Sequence, residues 1–96
     1  MNSSDRILAQ RYAKAYDALA TSNPQAQARA EELAAASQAL AGAQAFMTDP
    51  NVSVPAKTGF LREALVSAPA AQAFLNMLVQ AKRYNLLGQI VREVNA

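Results

Sequence analysis

Prolines divide this chain into segments whose apolar residues recur at helical spacing, and this division limits the fold more than any other feature. Pro24, Pro50, Pro55 and Pro69 stand in or beside short polar stretches. Proline is accepted in the first turn of a helix but not in its interior. No segment alternates apolar and polar residues as a half-buried strand would. The pattern predicts an all-α fold, a bundle of five or six helices joined by short turns.

Length and composition allow one domain with a modest core and argue against catalysis. The chain has 96 residues and is 52% hydrophobic, much of it alanine, which favours helix but buries little area. Cysteine and histidine are both absent, which removes thiolate ligands, disulfides and the commonest general base. Glu31 and Glu32 point to different faces of a helix and form no acid/base couple. We therefore expect no catalytic residues, no metal and no cofactor.

The charges are spread along the chain and indicate neither a nucleic-acid nor a membrane partner. The net charge is +2, and the basic residues form no stripe with aromatics among them, as nucleic-acid-binding surfaces normally have. No apolar run approaches the roughly 20 residues of a membrane span, so we expect no direct membrane insertion. The start of the chain lacks the features of a secretory signal. These observations predict a soluble, cytosolic domain.

Short polar residues before the periodic segments predict where the helices begin. The predicted caps are Ser3, Ser4 or Asp5 for the first helix, Asn23 for the second, Ser53 for the fourth, Ser67 for the fifth and Asn85 for the sixth. The first helix should reach about residue 20, the second should cover 24 to about 41, the third 43–47, and the fifth 69 to about 82. The inward-facing residues are predicted to be Ala26, Ala30, Leu33, Ser37 and Leu40, then Phe46 and Met47, then Phe60, Leu61, Ala64 and Leu65, and finally Leu86, Leu87, Ile90, Val91 and Val94.

The first and fifth predicted helices carry more apolar surface than one core contact needs. At roughly 100° per residue, the first helix has two adjacent apolar stripes, namely Leu8, Tyr12, Ala15 and Leu19, and Ala9, Ala13, Tyr16 and Ala20. In the fifth helix one broad face contains Ala70, Ala71, Phe74, Met77, Leu78 and Ala81, extended by Leu75 and Val79. A surface helix normally has one such stripe. Each helix is therefore either buried on two sides or buried on one side and open to a partner on the other.

Two stretches, one near each end of the chain, resemble the delta subunit of the F-type ATP synthase, called the oligomycin-sensitivity-conferring protein in mitochondria. Residues 11–15, Arg-Tyr-Ala-Lys-Ala, followed by Leu19-Ala20, resemble the opening motif of that family. Residues 74–79, Phe-Leu-Asn-Met-Leu-Val, followed by Arg83-Tyr84 and by Leu87 and Ile90, resemble its fifth and sixth helices.

A third, shorter stretch completes the resemblance, and two positions depart from it. Asn51-Val52-Ser53 with Lys57 resembles the stretch leading into the fourth helix of the family. The three matches come in the order of the family and span nearly the whole chain. Asp17 stands where the family commonly has a large apolar residue, and Ala81-Lys82 stands where a glycine often precedes the arginine.

The resemblance implies a non-catalytic role in the peripheral stalk, the stator that links the catalytic head of the ATP synthase to its membrane sector. It implies a six-helix N-terminal domain, followed in the full subunit by a smaller C-terminal domain that is absent here, so we expect residues 1–96 to be a truncated fragment. This domain would bind the N-terminal helical segment of an alpha subunit in a groove between helices 1 and 5. The missing C-terminal region would reach the b subunits, at the cytoplasmic face of the bacterial plasma membrane.

The excess apolar stripes and the resemblance together suggest which residues bind the partner. The predicted partner-binding residues are Leu8, Tyr12, Ala15, Leu19, Ala70, Phe74, Met77 and Ala81, and the predicted rim residues are Arg11, Lys14 and Arg83. The sequence does not decide which stripe of each helix faces the core. Stripes at helical spacing are usually core, and isolated cations are usually solvated. An alternative function is a general helical adaptor that binds an unrelated amphipathic helix; a nucleic-acid-binding domain is disfavoured by the scattered charge.

Overall fold

A computed structural model describes residues 3–95 of the chain, and it confirms the prediction of an all-helical bundle. The helices are α1 Ser3–Asp17, α2 Asn23–Ala39, α3 Gln44–Thr48, α4 Val54–Ala64, α5 Pro69–Gln80 and α6 Leu87–Val94. Short 3-10 helices, Ala41–Ala43 and Tyr84–Leu86, lead into α3 and α6. Among the described residues there is no strand. None of the described helices is long and apolar enough to cross a membrane.

The helices pack around one cluster of buried side chains. α6 lies against α1 and α2, and α5 lies against α2 and α4. The largest fully buried side chains are Tyr16, Leu33, Met47, Leu61, Leu75, Leu78, Leu86 and Ile90. Alanines at helix contacts, such as Ala9 and Ala71, are completely buried and allow the helices to approach closely. The predicted modest core therefore forms from a few large residues with alanines between them.

The first two helix boundaries differ from the prediction. α1 ends at Asp17, three residues before the predicted end, and Ser3, Ser4 and Asp5 lie inside it rather than before it; the position of its cap lies outside the described residues. The cap of α2 is Ser22 and not Asn23. Ser22 is extended, with φ −156° and ψ 162°, and its Oγ accepts a hydrogen bond from the Gln25 amide at 3.2 Å.

Of the caps predicted for α4, α5 and α6, the first is correct and the other two are wrong. Ser53 caps α4 as predicted, because its Oγ accepts a hydrogen bond from the Ala56 amide at 3.2 Å. Ser67 does not cap α5: the residue before α5 is Ala68, which makes no side-chain cap. Asn85 lies inside the second 3-10 helix, so it is not the cap of α6.

Three residues predicted to face the core lie at the surface instead. Phe46 and Phe60 are 38% and 37% exposed, and Ala64 is exposed. The stripe of α4 that faces the core runs through Lys57, Leu61 and Leu65, spaced four apart, so neighbouring positions on the helix turn outward. The rings of Phe46 and Phe60 pack edge to face with centroids 5.4 Å apart, which covers part of their apolar area.

Candidate partner-binding surface

The structure buries one stripe of α1 and leaves the other at or near the surface. Ala9, Ala13 and Tyr16 are buried in the core. The other stripe contains two half-buried residues, Leu8 and Tyr12, and the exposed Ala15, while Leu19, which was predicted to belong to it, is exposed in the turn after α1 ends. Leu19 is 59% exposed and is one of several exposed large apolar residues, with Ile7 and Val66.

α5 buries its central arc and exposes one edge of its broad apolar face. Ala71, Leu75, Leu78 and Val79 are buried. The predicted partner-binding residues of α5 lie on one flank of that arc: Phe74 is buried, Ala70 is half-buried, and Met77 and Ala81 are exposed. Phe74 is only 6% exposed and is therefore chiefly a core residue. Met77 is 37% exposed and extends the apolar surface outward.

A pair of aromatic rings bridges the two helices. The centroids of Tyr16 and Phe74 are 4.8 Å apart and the rings are tilted by 52°. The backbones of α1 and α5 are not among the closely packed helix pairs, so these long side chains span a gap between them. Tyr16 was not among the predicted partner-binding residues, and no local pattern in the sequence pairs it with Phe74, which is 58 residues away.

Three of the predicted residues lie one helical turn from this ring pair on α1 and α5. On α1, Tyr12 precedes Tyr16 by four residues; on α5, Ala70 precedes Phe74 by four residues and Met77 follows it by three. We call the set the α1–α5 surface; it consists of Leu8, Tyr12, Ala15, Leu19, Ala70, Phe74, Met77 and Ala81. An apolar surface on two separated helices with a ring pair beneath can accept a third helix.

The ring pair is fixed in place by polar contacts to α2. The Tyr16 hydroxyl donates a hydrogen bond to the Arg29 carbonyl oxygen at 2.7 Å, and the Arg29 guanidinium donates to the Leu19 carbonyl oxygen at 2.6 Å. Burial raises the pKa of Tyr16 to about 12, and the nearby negative charge of Glu32 adds to the effect. The phenol therefore stays protonated and keeps its hydrogen bond at neutral pH.

The three predicted rim cations lie at the surface without partners in the described chain. Arg11, Lys14 and Arg83 are all exposed. Their side chains make no hydrogen bond or ion pair with any residue of the described range 3–95. Within that range no group of acidic, cysteine or histidine residues could hold a metal ion.

Comparison with known proteins gives one match, which agrees with the resemblance found in the sequence. The family model described as ATP synthase delta (OSCP) subunit matches residues 8–96. No curated protein and no solved structure matches the chain. The matched range includes both halves of the α1–α5 surface and all but the first turn of the bundle. The chain therefore belongs to the ATP synthase delta (OSCP) subunit family, whose members are peripheral-stalk subunits of a membrane-associated enzyme complex.

Proposed function

We propose that this chain is a non-catalytic stator module that binds the N-terminal helix of an alpha subunit on its α1–α5 surface. The observation that carries the proposal is the second apolar stripe of α1. Ala15 and Leu19 are exposed, and Leu8 and Tyr12, which pack against the core, are only half-buried. Apolar surface left over on a helix is removed from water when a partner helix packs on it, at roughly 25 cal/mol per Å².

The mode of recognition is an amphipathic helix laid between two helices. The exposed alanines, Ala15 and Ala81, let a third helix come close, while Leu19 and Met77 supply apolar area. Met77 has an unbranched, flexible side chain that adapts to the shape of its partner. The exposed cations Arg11, Lys14 and Arg83 would attract an acidic segment of the partner and set its register.

In the assembled enzyme this contact would fasten the module to the catalytic head. The b subunits would be reached mainly through the C-terminal region of the subunit, at the cytoplasmic face of the bacterial plasma membrane. The tether would keep the head from turning with the rotor during proton-driven ATP synthesis. The module itself needs no chemistry for this task, in keeping with a sequence that has neither histidine nor cysteine.

Titration of the ¹⁵N-labelled chain with a synthetic alpha N-terminal peptide tests this function. We expect saturable amide shifts at Tyr12, Ala15 and Met77. Ala15→Arg should weaken binding at least about tenfold, because a charge is forced into the apolar contact. The matched control is Ala28→Arg, which makes the same change at an exposed alanine of α2 and should leave affinity unchanged.

Three outcomes would contradict parts of the proposal. Equal affinity of the wild type and Ala15→Arg would exclude the α1 stripe as the contact. Shifts centred on Val79 or on α2 would place the partner elsewhere on the module. Equal binding of an unrelated amphipathic helix would favour the general adaptor function over the stator function.

A further inference from the structure

A cleft lies between the turn that joins α3 to α4 and the C-terminal end of α5. Its volume is about 440 Å³. Its apolar lining includes Met47, Val52, Val54 and Val79, and its charged lining consists of Lys57 and Lys82. No carboxylate is among the residues that line it. The cleft thus joins apolar walls to two uncompensated positive charges.

Lys57 is an unexpected residue for its position. It lies in the first turn of α4, where the helix dipole is positive and disfavours a cation, and it is only 9% exposed. Its side chain makes no hydrogen bond or ion pair with any residue in the described range. Lys57 Nζ is not sealed from solvent: among the described residues, the one buried side-chain nitrogen or oxygen atom without a hydrogen-bond partner is Asn76 Oδ1. The Lys57 ammonium therefore reaches the open cleft while its stem is buried.

Lys82 is held in a backbone conformation that favours glycine. Its φ is 60°, in the left-handed region, at the point where α5 ends. The amide of Lys82 donates to the Val79 carbonyl oxygen at 3.1 Å, and that of Arg83 donates to the Leu78 carbonyl oxygen at 2.8 Å, which fixes this geometry. A lysine here costs backbone strain and adds a second, exposed cation to the lining of the cleft.

The free donors of the cleft suit a carboxylate better than a phosphate. Phosphate sites usually present several backbone amides at a helix N-terminus. At the start of α4 most of those amides are used or missing: Ala56 donates to Ser53 Oγ, Lys57 donates to the Ser53 carbonyl oxygen, and Pro55 has none, so the first turn offers the Val54 amide and not a cradle of several. The charged donors of the lining are the two lysines, which stand beside apolar walls.

We propose that this cleft binds a small aliphatic carboxylate, with the carboxylate paired to Lys57 and assisted by Lys82. The hydrocarbon chain of the ligand lies on Met47, Val52, Val54 and Val79. The ligand gives the Lys57 ammonium the partner that it lacks among the described residues, through a charge-assisted hydrogen bond in a partly buried site.

Titration of the ¹⁵N-labelled chain with octanoate, at constant ionic strength and below its micelle concentration, tests the proposal. We expect saturable amide shifts at Val54, Lys57 and Lys82. Lys57→Met, which keeps the length of the stem, should weaken binding at least about tenfold. Lys82→Gly should weaken it about threefold, because Lys82 only assists. The matched control is Arg62→Met, which removes an exposed cation from the same helix and should change nothing.

Stability without ligand separates a binding lysine from a structural one. We expect Lys57→Met and Lys82→Gly each to raise the urea midpoint, because each removes an unfavourable feature of the free chain. A fall in the midpoint of Lys57→Met, together with unchanged octanoate affinity, would overturn the proposal.

Two further ligands check the chemistry of the site. Equal binding of neutral octanol would mean that the cleft is only an apolar site. Tighter binding of inorganic phosphate than of octanoate would replace the carboxylate with a phosphate. Lys57 and Lys82 lie outside the α1–α5 surface, so Lys57→Met should leave affinity for the alpha peptide unchanged. Failure of the carboxylate site is therefore distinguishable from failure of the stator function.

Discussion

Tyr16 connects three helices through one side chain. Its ring packs on Phe74 of α5, and its hydroxyl donates to the Arg29 carbonyl oxygen of α2 at 2.7 Å. Arg29 in turn donates to the Leu19 carbonyl oxygen just after α1 ends. Tyr16 thus holds the α1–α2 corner through its hydroxyl and contacts α5 through its ring.

Removing the Tyr16 hydroxyl should cost one buried hydrogen bond. We expect Tyr16→Phe to lower the free energy of unfolding by about 1 kcal/mol, because the Arg29 carbonyl oxygen loses its donor while the ring contact with Phe74 remains. Urea unfolding at pH 7 measures the difference. Tyr12→Phe is the control, because the half-buried Tyr12 hydroxyl makes no hydrogen bond with a described residue. An equal loss in both variants would mean that the hydrogen bond contributes nothing specific.

The raised pKa of Tyr16 makes the stability of the chain depend on pH in the alkaline range. Its pKa in the folded chain is about 12, against an ordinary value of 10.0, mainly because of burial. The unfolded chain therefore loses this proton first, and stability present below pH 10 should decline as the pH rises towards 12. Burial also raises the pKa of Tyr84, in the same direction. Urea midpoints at pH 9 and 11.5 should differ less in Tyr16→Phe than in the wild type; an equal difference would contradict the assignment.

At the scale of elements, α2 completes the start of α5. The residue before α5 is Ala68, whose side chain cannot cap the helix. Instead Glu32, on α2, accepts a hydrogen bond from the Ala71 amide at 2.8 Å. A carboxylate at this place satisfies a free amide and also suits the positive end of the helix dipole. The contact fixes α5 relative to α2 and so sets the position of Phe74.

Removing the Glu32 carboxylate should lower stability more than removing the neighbouring Glu31 carboxylate. We expect Glu32→Ala to lower the free energy of unfolding by about 1 to 2 kcal/mol, because the Ala71 amide loses its acceptor. Glu31→Ala, which removes the exposed carboxylate next to it, should cost less than about 0.5 kcal/mol. Thermal or urea unfolding of the pair measures both values. Equal costs would show that the cap is not a specific contact.

At the scale of the whole molecule, stability rests on a few large side chains in one cluster. Leu33, on α2, is completely buried where α2 meets α5 and α6. We expect Leu33→Ala to cost about 2 to 5 kcal/mol, because it leaves a cavity that close-packed neighbours fill only in part. Urea unfolding measures the loss.

Leu19→Ala makes the same substitution as Leu33→Ala, but at an exposed leucine. Leu19 is 59% exposed, so its truncation should alter stability by less than about 0.5 kcal/mol. If Leu19 belongs to the partner contact, the same variant should weaken binding of the alpha peptide. Strong destabilisation by Leu19→Ala would mean that this stripe is structural.

The sequence by itself determined the helices, the turns that separate them and the family. Helical periodicity, proline at helix starts and the Ser53 cap act over a few residues, so they are visible in the chain. Boundaries were less accurate: α1 ends at Asp17, where the chain enters the corner that Tyr16 and Arg29 hold by hydrogen bonds between residues far apart in sequence. The excess apolar surface of α1 and α5 was also visible, because it follows from composition around one helix.

Only the tertiary structure decided which surfaces face which. Both stripes of α1 are apolar, and the choice of Ala9, Ala13 and Tyr16 for the core depends on the shape of α6 and α2 opposite them. The outward turn of Phe46 and Phe60, the Glu32 cap of α5 and the buried position of Lys57 likewise join residues far apart in sequence. Local patterns cannot specify such pairings, since each depends on how whole helices pack.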